Sequence, residues 1–306
     1  MARANCSVGL VGYGEVGRIL AEDLRERGIA HGIAAVAAYD IKLGTAAEVP
    51  LREHAARNGI VLAASHAALA AGVDLVLSAV TASQAVAVAE AIAPAIRKNA
   101  WFLDFNSASP GAKKTAGAMI DAAGGRYVEA AVMTSIPPYR LRVPMLLGGP
   151  HAQAIKPLLD ALGFDATVVS DRLGVASATK MCRSVMIKGL EAMVIESFTA
   201  ARAYGVEDSV LASLKETFPG VDWEKQGAYF FQRVIQHGRR RAEEMREAAA
   251  TVREIGLEPW SAGGTAERQA FIADLAEAGK MGDRLAARTD WRADADRLLA
   301  AISRND

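Results

Sequence analysis

The sequence predicts an α/β fold in which a doubly wound parallel sheet is followed by an all-helical C-terminal domain. Up to about residue 170, short β-type runs alternate with stretches of helical character, and strand–helix–strand repetition of this kind builds a parallel sheet. After Asp171 the strand pattern stops, and segments with helical periodicity follow. We therefore expect two domains, residues 1–170 and residues 171–306, the second beginning with a long helix that joins them.

Eight segments of the first domain have the composition of β-strands. Several are continuously apolar, as strands are when helices cover both faces of a sheet. The predicted strands are Ser7–Val11, Ala35–Tyr39, Ile60–Ala63, Leu75–Val80, Trp101–Phe105, Arg126–Val132, Val143–Leu147 and Ala166–Val169. Between them, Ser109 followed by Pro110 predicts an N-cap with proline in the first helical turn. Gly28 is expected to end the helix that begins at Glu15.

The second domain is predicted to consist of helices. Leu173–Tyr204 contains no proline and is predicted to form one long helix. Two further helices are predicted, Ala228–Ile255, whose apolar residues recur at helical spacing, and Gly264–Ala278. Because the long helix carries more apolar surface than one sheet domain can cover, we expect a homodimer.

Composition and charge argue against several classes of function. Lys+Arg and Asp+Glu number 35 each, so the chain has no net charge to attract nucleic acid or an anionic membrane. Hydrophobic residues make up 51% of the sequence, which is enough for a buried core. Cys6 and Cys182 are far apart and fit reduced thiols, and no long apolar segment follows Met1, so we expect a cytoplasmic protein. The histidines show no metal-ligand spacing, and we expect no metal site.

A G-x-G-x-x-G pattern lies between the first predicted strand and the following helix, Gly12-Tyr13-Gly14-Glu15-Val16-Gly17. Gly12 permits a tight turn, Gly14 lets the backbone approach a phosphate, and Gly17 lets the helix pack closely on the strand. The helix N-terminus supplies unpaired N–H groups and a partial positive charge. The pattern predicts a dinucleotide site formed by residues 12–16, with a purely structural turn as the alternative.

Asp40 follows the second predicted strand, where a dinucleotide-binding fold places an acid. A carboxylate here can accept hydrogen bonds from both ribose hydroxyls, and it repels a 2′-phosphate. Lys42 is a cation that could instead attract that phosphate. A turn or cap aspartate is the structural alternative. From Asp40 we expect NAD or NADP as the cofactor, with NAD favoured.

Three further stretches carry polar motifs: Asp104-Phe105-Asn106-Ser107-Ala108-Ser109-Pro110, Glu129-Ala130-Ala131-Val132-Met133-Thr134-Ser135, and Gly174 to Lys180. Together with the glycine loop, they resemble, in the same order, the motifs of the β-hydroxyacid dehydrogenase and 6-phosphogluconate dehydrogenase superfamily. The resemblance covers nearly the whole chain and implies a Rossmann-type first domain that transfers hydride to NAD or NADP. It also implies that Asn106 and the strand end Val80-Thr81 flank the nicotinamide. The helical tail resembles a less-studied branch with its own C-terminal domain.

Lys180 has the glycine spacing of that family's catalytic lysine. The polar residues that share its side of a helix, within about 80°, are Arg183, Ser184, Lys188 and Glu191. Burial or a neighbouring cation lowers the pKa of a lysine, which can then take a proton from a hydroxyl while hydride leaves for the nicotinamide. A solvated helix face with ion-pair partners one turn away is the alternative.

The resemblance and the polar helix face around Lys180 together indicate the other residues of the site, with structural salt bridges as the alternative for Arg183 and Lys188. Ser184 lies where relatives usually have asparagine and is expected to act with Lys180. The expected substrate-binding residues are Ser107, Thr134, Ser135, Arg183 and Lys188. His237, beside three arginines, is the one histidine that we place near substrate.

Two departures from the family pattern indicate a different substrate pocket. Met133-Thr134-Ser135 replaces the segment in which two glycines bind a carboxylate. Glu243-Glu244 replaces a Lys-Asp pair on a later helix. Arg240 or Arg241 could substitute for that lysine; the alternative is ion pairing of Arg239 with Glu243 and of Arg240 with Glu244 at i,i+4.

We therefore expect an NAD(P)-dependent dehydrogenase that oxidises a secondary alcohol, in a small hydroxy acid, with Lys180 as general base. Imine reduction is a second possibility, although enzymes of this fold with that activity usually lack the lysine. A third is a dinucleotide-binding regulatory protein without catalytic activity. The sequence does not distinguish whether decarboxylation follows oxidation.

Overall fold

The computed structural model describes residues 6–287 and 289–303, apart from the side chains of residues 29–31. The N-terminal segment Met1–Asn5, for which we expect no signal peptide, lies outside the described residues. The chain divides into two compact units, residues 1–180 and 181–306. The division falls inside one long helix, which begins in the first unit and continues in the second.

The first unit contains a single sheet to which the described residues contribute eight strands. They are β1 Cys6–Val11, β2 Ile33–Tyr39, β3 Val61–Leu62, β4 Leu75–Ser78, β5 Trp101–Asp104, β6 Arg126–Val132, β7 Met145–Gly148 and β8 Ala166–Ser170. The strand order is β3-β2-β1-β4-β5-β6-β7-β8. This order reverses beside β1, where β2 lies on one side and β4 on the other. The predicted α/β fold, and a strand in each of the eight segments, are thereby confirmed.

The sheet is parallel from β3 to β6, and its last two strands run in the opposite direction. Strand β7 pairs antiparallel with β6, and β8 pairs parallel with β7. Residues 133–144 connect β6 to β7 with only a short 3₁₀ turn at Arg140–Arg142. A parallel neighbour needs a longer crossover, usually through a helix, whereas a short connection returns the chain in the opposite direction.

Helices follow most strands of the first unit. They are α1 Glu15–His31, α2 Val49–Asn58, α3 His66–Ala71, α4 Ala85–Ile92, α5 Pro110–Ala122 and α6 Ala152–Leu162. The predicted cap of α5 is confirmed, because Ser109 Oγ accepts a hydrogen bond from Ala112 N at 3.3 Å. Gly28 does not end α1. The helix continues to His31 and ends at Gly32, whose φ of 81° is the left-handed conformation that glycine adopts without strain. At Gly28 a Cβ would lie 3.2 Å from Ile33 Cβ, so this glycine allows close packing of β2.

Buried apolar side chains cover both faces of the sheet, as the continuously apolar strands predict. Alternate residues of a strand point to opposite faces, so Leu75 and Leu77 of β4 pack with Leu103 in one cluster. Val76 and Phe102 belong to the cluster on the other face. Because both faces are covered, the polar groups that serve a site must come from the strand ends and the loops.

The second unit is helical throughout the part that the structure describes. The long helix α7 Val175–Tyr204 enters it, and α8 Glu207–Thr217, α9 Trp223–Arg253, α10 Trp260–Glu277 and α11 Trp291–Ile302 follow. The three helices predicted here are confirmed with small shifts of their ends. Phe198, Phe231 and Trp291 form the centre of the core of this unit. No helix of the described residues is both long enough and apolar enough to cross a membrane.

Candidate functional site

The loop between β1 and α1 has a backbone path that requires its glycines. Gly12 has a φ of 86°, and a Cβ at this residue would lie 2.4 Å from the carbonyl oxygen of Ala79. A Cβ at Gly17 would lie 2.0 Å from the carbonyl oxygen of Gly12. Any side chain at these two positions would collide with backbone. The two glycines therefore hold the loop tightly against the end of β4 and against the first turn of α1.

The same loop offers the kind of site that a pyrophosphate requires. A Cβ at Gly14 would meet nothing within 4 Å, so the backbone here borders open space. Gly14 is the N-cap of α1 and no side chain caps this helix, whose first turn contains the exposed Glu15 and the half-buried Val16. Uncapped N–H groups and the helix dipole bind anionic groups at such a place. The loop residues therefore fit a dinucleotide.

Asp40 joins this loop to the end of β2. One carboxylate oxygen, Oδ2, accepts a hydrogen bond from Tyr13 N at 2.8 Å, and Oδ1 accepts one from Lys42 N at 2.9 Å. The turn-type role that we gave as an alternative is thus present. Each carboxylate oxygen has a second lone pair, so these bonds leave capacity for ribose hydroxyls. The ribose contact stays a prediction.

Tyr13 contributes to the loop through its backbone, because its side chain is buried in the sheet core. Its hydroxyl lies 2.7 Å from His54 Nδ1, and His54 Nε2 lies 2.7 Å from Glu22 Oε1. Burial, with a contribution from the carboxylate of Glu22, raises the pKa of Tyr13 to about 12. Tyr13 is therefore a neutral anchor of the loop at physiological pH.

Asn106 connects the carboxyl ends of two neighbouring strands, β4 and β5. Its Oδ1 accepts a hydrogen bond from Val80 N at 2.7 Å, and its Nδ2 donates to Ser78 Oγ at 2.9 Å. Asn106 therefore contacts the strand end Val80-Thr81, which we predicted to flank the same part of the site. The amide fixes the path of the backbone at Val80. The Thr81 side chain is exposed and lies 3.4 Å from Ser83 Oγ.

A buried ionic group, which we did not predict from the sequence, supports the turn that contains Asn106. Asp104 Oδ1 lies 2.9 Å from Lys113 Nζ, and Oδ2 accepts a hydrogen bond from the Tyr127 hydroxyl at 2.6 Å. Asp104 and Lys113 are 0% and 1% exposed. Burial and the carboxylate of Asp104 hold the pKa of Tyr127 well above its usual range. Asp104 Oδ1 also accepts a hydrogen bond from Asn106 N at 2.8 Å, which fixes the start of the turn.

Ser107 and Lys180, both predicted site residues, are in direct contact. Lys180 Nζ donates a hydrogen bond to Ser107 Oγ at 2.5 Å. Ser107 lies in the turn after β5, and Lys180 lies in the second turn of α7. Since β1, β4 and β5 are parallel neighbours, this amine lies at the sheet edge that also carries the glycine loop.

A buried carboxylate from β6 holds the start of α7. Glu129 Oε1 accepts hydrogen bonds from Gly174 N at 2.9 Å and from Ala176 N at 3.0 Å, and Oε2 accepts one from Ser177 Oγ at 2.8 Å. Glu129 is 0% exposed. A Cβ at Gly148 on β7 would lie 2.3 Å from Oε1, so this glycine makes room for the carboxylate. Glu129 therefore acts as an N-terminal cap supplied by a distant strand.

The loop after β6 contains Thr134, which is exposed, and Ser135, which is half-buried. Arg140 fastens this loop to α1, because its Nε donates to Asp23 Oδ1 at 2.6 Å and its Nη2 donates to Glu22 Oε2 at 2.7 Å. Hydrogen bonds from Arg140, and then from His54, lower the pKa of Glu22. Sequence reasoning missed this anchor, since no spacing rule relates residue 140 to residues 22 and 23.

The other predicted site residues on α7 belong to the second unit. Ser184 is buried and Arg183 is exposed. Lys188 Nζ forms an ion pair with Glu244 of α9. Burial lowers the pKa of Lys188, although Glu244 opposes the shift.

The arginines of α9 differ from each other in their partners. Arg241 forms a buried, two-bond ion pair with Glu191 of α7, one of whose oxygens also accepts from Gln269 Nε2 at 3.4 Å. Arg239 pairs with Asp274 and Glu277 of α10. The alternative pairing of Arg239 with Glu243 was therefore wrong, because α10 offers two carboxylates to the same guanidinium. The pairing of Arg240 with Glu244 is present at 3.9 Å.

Comparison with known proteins assigns the first unit. Residues 7–170, more than half of the chain, match the family model described as the NAD binding domain of 6-phosphogluconate dehydrogenase. The chain belongs to this family. Residues 201–272 of this 6-phosphogluconate dehydrogenase-like protein match a second model, described as a domain of unknown function (DUF1932). The resemblance inferred from the motifs, including a divergent C-terminal domain, is confirmed.

Three relatives cover most of the chain. A conserved hypothetical protein from Sinorhizobium meliloti 1021 is 36% identical, with a TM-score of 0.77 over 97% of this chain and 96% of the other. A conserved protein of unknown function, described as structurally similar to 3-hydroxyacid dehydrogenases, is 28% identical. Its TM-score is 0.67, over 89% of this chain and 98% of the other. The mitochondrial 3-hydroxyisobutyrate dehydrogenase of Drosophila melanogaster is 25% identical over 72% of this chain and 66% of that protein. These findings support an NAD(P)-dependent oxidoreductase.

The cap on α7 leads to a prediction about stability. Glu129→Gln keeps one oxygen that can accept the two backbone N–H groups, but it removes the charge at the helix N-terminus and places a buried NH₂ group where an oxygen accepts from Ser177 Oγ. Leaving buried polar groups unpaired costs about 1–3 kcal/mol, so we expect the free energy of unfolding to fall by about that amount. Urea unfolding followed by circular dichroism measures the change.

Glu90→Gln is the matched control, because Glu90 is exposed on α4. This variant should unfold as the parent does. Equal stability of the Glu129 and Glu90 variants would contradict the capping role.

Proposed function

We propose that the protein is an NAD(P)-dependent dehydrogenase that oxidises the hydroxyl group of a small hydroxy acid, a secondary alcohol, with Lys180 as the proton acceptor. The observation that carries the proposal is the 2.5 Å contact between Lys180 Nζ and Ser107 Oγ at the carboxyl edge of the sheet. A lysine at the edge that carries the glycine loop is suitably placed for proton transfer during hydride transfer. Similarity to a 3-hydroxyisobutyrate dehydrogenase supports the choice of a hydroxy acid.

Residues of the first unit would hold the dinucleotide. Residues 12–16 would bind the pyrophosphate at the N-terminus of α1, and Asp40 the adenosine ribose. The backbone at Val80-Thr81, fixed by Asn106, would border the nicotinamide. When bound, the dinucleotide supplies the hydride acceptor. The carboxylate of Asp40 would disfavour a 2′-phosphate, so NAD is the expected cofactor.

Lys180 would accept the hydroxyl proton in oxidation and return it in reduction. A lysine accepts a proton only in its neutral form, and its ammonium form only donates. Ser107 Oγ receives a hydrogen bond from the amine and so fixes its direction. Glu129 fixes the first turn of α7 and hence the position of Lys180 one turn later. Such fixed orientation lowers the entropy cost of the transfer.

Ser107 is also the first of the proposed substrate contacts. Thr134 and Ser135 follow β6, at the same edge of the sheet, and each offers a hydroxyl that can donate or accept. On α7 we retain Ser184 as a partner of Lys180, and Arg183 and Lys188 as proposed contacts of a substrate carboxylate.

Removing the amine tests the role of Lys180. We expect Lys180→Met to lower kcat by roughly 10²–10⁴-fold, the usual contribution of a positioned acid–base group. The dissociation constant for the dinucleotide should stay within a few-fold, since the glycine loop is unchanged. Steady-state kinetics on a panel of hydroxy acids and fluorescence titration with NADH measure the two quantities.

Lys98→Met, which changes an exposed lysine of the same unit, should keep the parent kcat. Retained turnover in Lys180→Met would exclude the proposed role. Dinucleotide binding by the parent, without turnover of any hydroxy acid or alcohol, would favour the regulatory alternative.

A change at Asp40 tests the choice of cofactor. Asp40→Asn keeps the size of the side chain but removes the charge that repels a 2′-phosphate, so KM for NAD should rise relative to KM for NADP. Lys42→Ala, which removes a cation that could attract the 2′-phosphate, should shift the ratio in the opposite direction. A parent enzyme that already prefers NADP strongly would show that the proposed preference is wrong.

The proposal includes a homodimer formed through the exposed apolar side of α7. Met186 and Met193, two helical turns apart, are 73% and 63% exposed. Apolar side chains that recur on one side of a helix are typical of an interface with a second copy. Light scattering of the parent should give about twice the chain mass of 32.2 kDa, and a double change of Met186 and Met193 to Asp should give monomers.

Ile255→Asp, at an exposed apolar position beyond the end of α9, should leave the dimer intact. A monomeric parent would contradict the homodimer.

A further inference from the structure

One side of α9 in the helical unit carries a row of basic side chains. Arg233, His237 and Arg240 recur at intervals of four and three residues, so they share one side of the helix. Arg284, in the segment after α10, lies beside this row, since its Nη2 donates to Gln236 O at 3.2 Å. We call these four residues the α9 basic row.

The neighbouring charged residues are in ion pairs, whereas Arg233 and Arg284 form no ion pair with a carboxylate of the described residues. Glu191 forms an ion pair with Arg241, and Glu244 forms ion pairs with both Lys188 and Arg240. Among residues 6–287 and 289–303, no carboxylate lies within 4.0 Å of the guanidinium of Arg233 or of Arg284. The nearby carboxylates are thus already engaged by other cations.

Arg233 is also not a freely solvated surface arginine. Its side chain is half-buried, and this burial, together with the cation of Arg241, lowers its pKa, although Tyr229 and the carboxylate of Glu191 oppose the shift. A guanidinium that is partly removed from water without a carboxylate partner is costly, and an anion in contact with it would offset that cost. Arg240 is about half exposed, so the row is open to a ligand from solvent.

The pKa of His237 shows that the α9 basic row has a positive electrostatic potential. Burial lowers its pKa to about 4, and the cations of Arg233, Arg240, Arg241 and Arg284 contribute to the shift. The imidazole is therefore neutral at physiological pH and offers one N–H donor between the arginines. Its surroundings favour negative charge.

We propose that the α9 basic row is an anion-binding site of the helical unit, which takes the carboxylate or phosphate group of a small ligand. Planar guanidinium groups bind two oxygens of such a group at once, and two of them with an imidazole N–H between suit a compact oxyanion. The neutral overall charge of the chain makes this local excess of cations a property of the site.

The site can be tested on the full chain without any catalytic assay. We would follow the His237 ring by NMR, assigned through His237→Gln, while adding inorganic phosphate or malonate. A bound anion offsets the repulsion from the arginines, so the pKa of His237 should rise from about 4 towards the ordinary value of about 6.5. Because the signal belongs to His237, phosphate bound at the glycine loop does not confuse the result.

Arg233→Met should weaken anion binding by roughly tenfold to a hundredfold, the effect expected when a charged hydrogen-bond donor is lost. Arg253→Met is the matched control, because Arg253 is exposed in the last turn of the same helix, and it should bind as the parent does. If Arg233→Met does not fold, Arg240→Met, at the open edge of the row, provides the same comparison.

The comparison of anions identifies the chemistry of the ligand: saturation by phosphate at lower concentration assigns a phosphate group, and saturation by malonate assigns a carboxylate. Absence of a saturable change at His237 with both anions would overturn the proposal. So would equal weakening by Arg233→Met and Arg253→Met. Since none of these readouts depends on turnover, failure here leaves the dehydrogenase proposal untouched.

Discussion

The candidate site depends on one buried carboxylate, Glu129, which accepts two backbone N–H groups and one hydroxyl at the start of α7. A helix begins with N–H groups that lack partners, and a carboxylate satisfies them and also interacts favourably with the helix dipole. Because Glu129 belongs to the central part of β6, the sheet determines where the first turn of α7 begins. Lys180 is only one turn beyond Ser177, so its direction depends on this cap.

The same kind of contact recurs along the sheet edge. A side-chain oxygen on one strand end accepts a backbone N–H from the neighbouring segment, as Asp40 does for Tyr13 and Asn106 does for Val80. The first bond links the loops after β1 and β2, and the second links the loops after β4 and β5, so these loops are held together in two pairs. Preorganised loops of this kind bind a cofactor with little loss of conformational entropy. The two bonds therefore order the loops at the edge that carries the proposed dinucleotide site.

Sequence reasoning succeeded where the signal is local and failed where it depends on distant partners. The glycine loop, the Ser109 cap and the eight strand segments each follow from a short pattern. Lys113 and Lys114 are adjacent lysines on one helix, yet only Lys113 is buried against a carboxylate, and no local pattern separates them. The antiparallel direction of β7 follows from a connection without a helix, which strand composition does not reveal.

The helical unit departs furthest from the family pattern, and its buried ion pairs give a physical reason. Apolar residues would pack α7 against α9 at lower desolvation cost than Glu191 with Arg241. We attribute the retention of this pair to geometry, because a two-bond guanidinium–carboxylate contact fixes both the register and the rotation of the two helices. The first unit thus matches the family model of an NAD binding domain, whereas the charged contacts of the helical unit arise from the packing of its own helices.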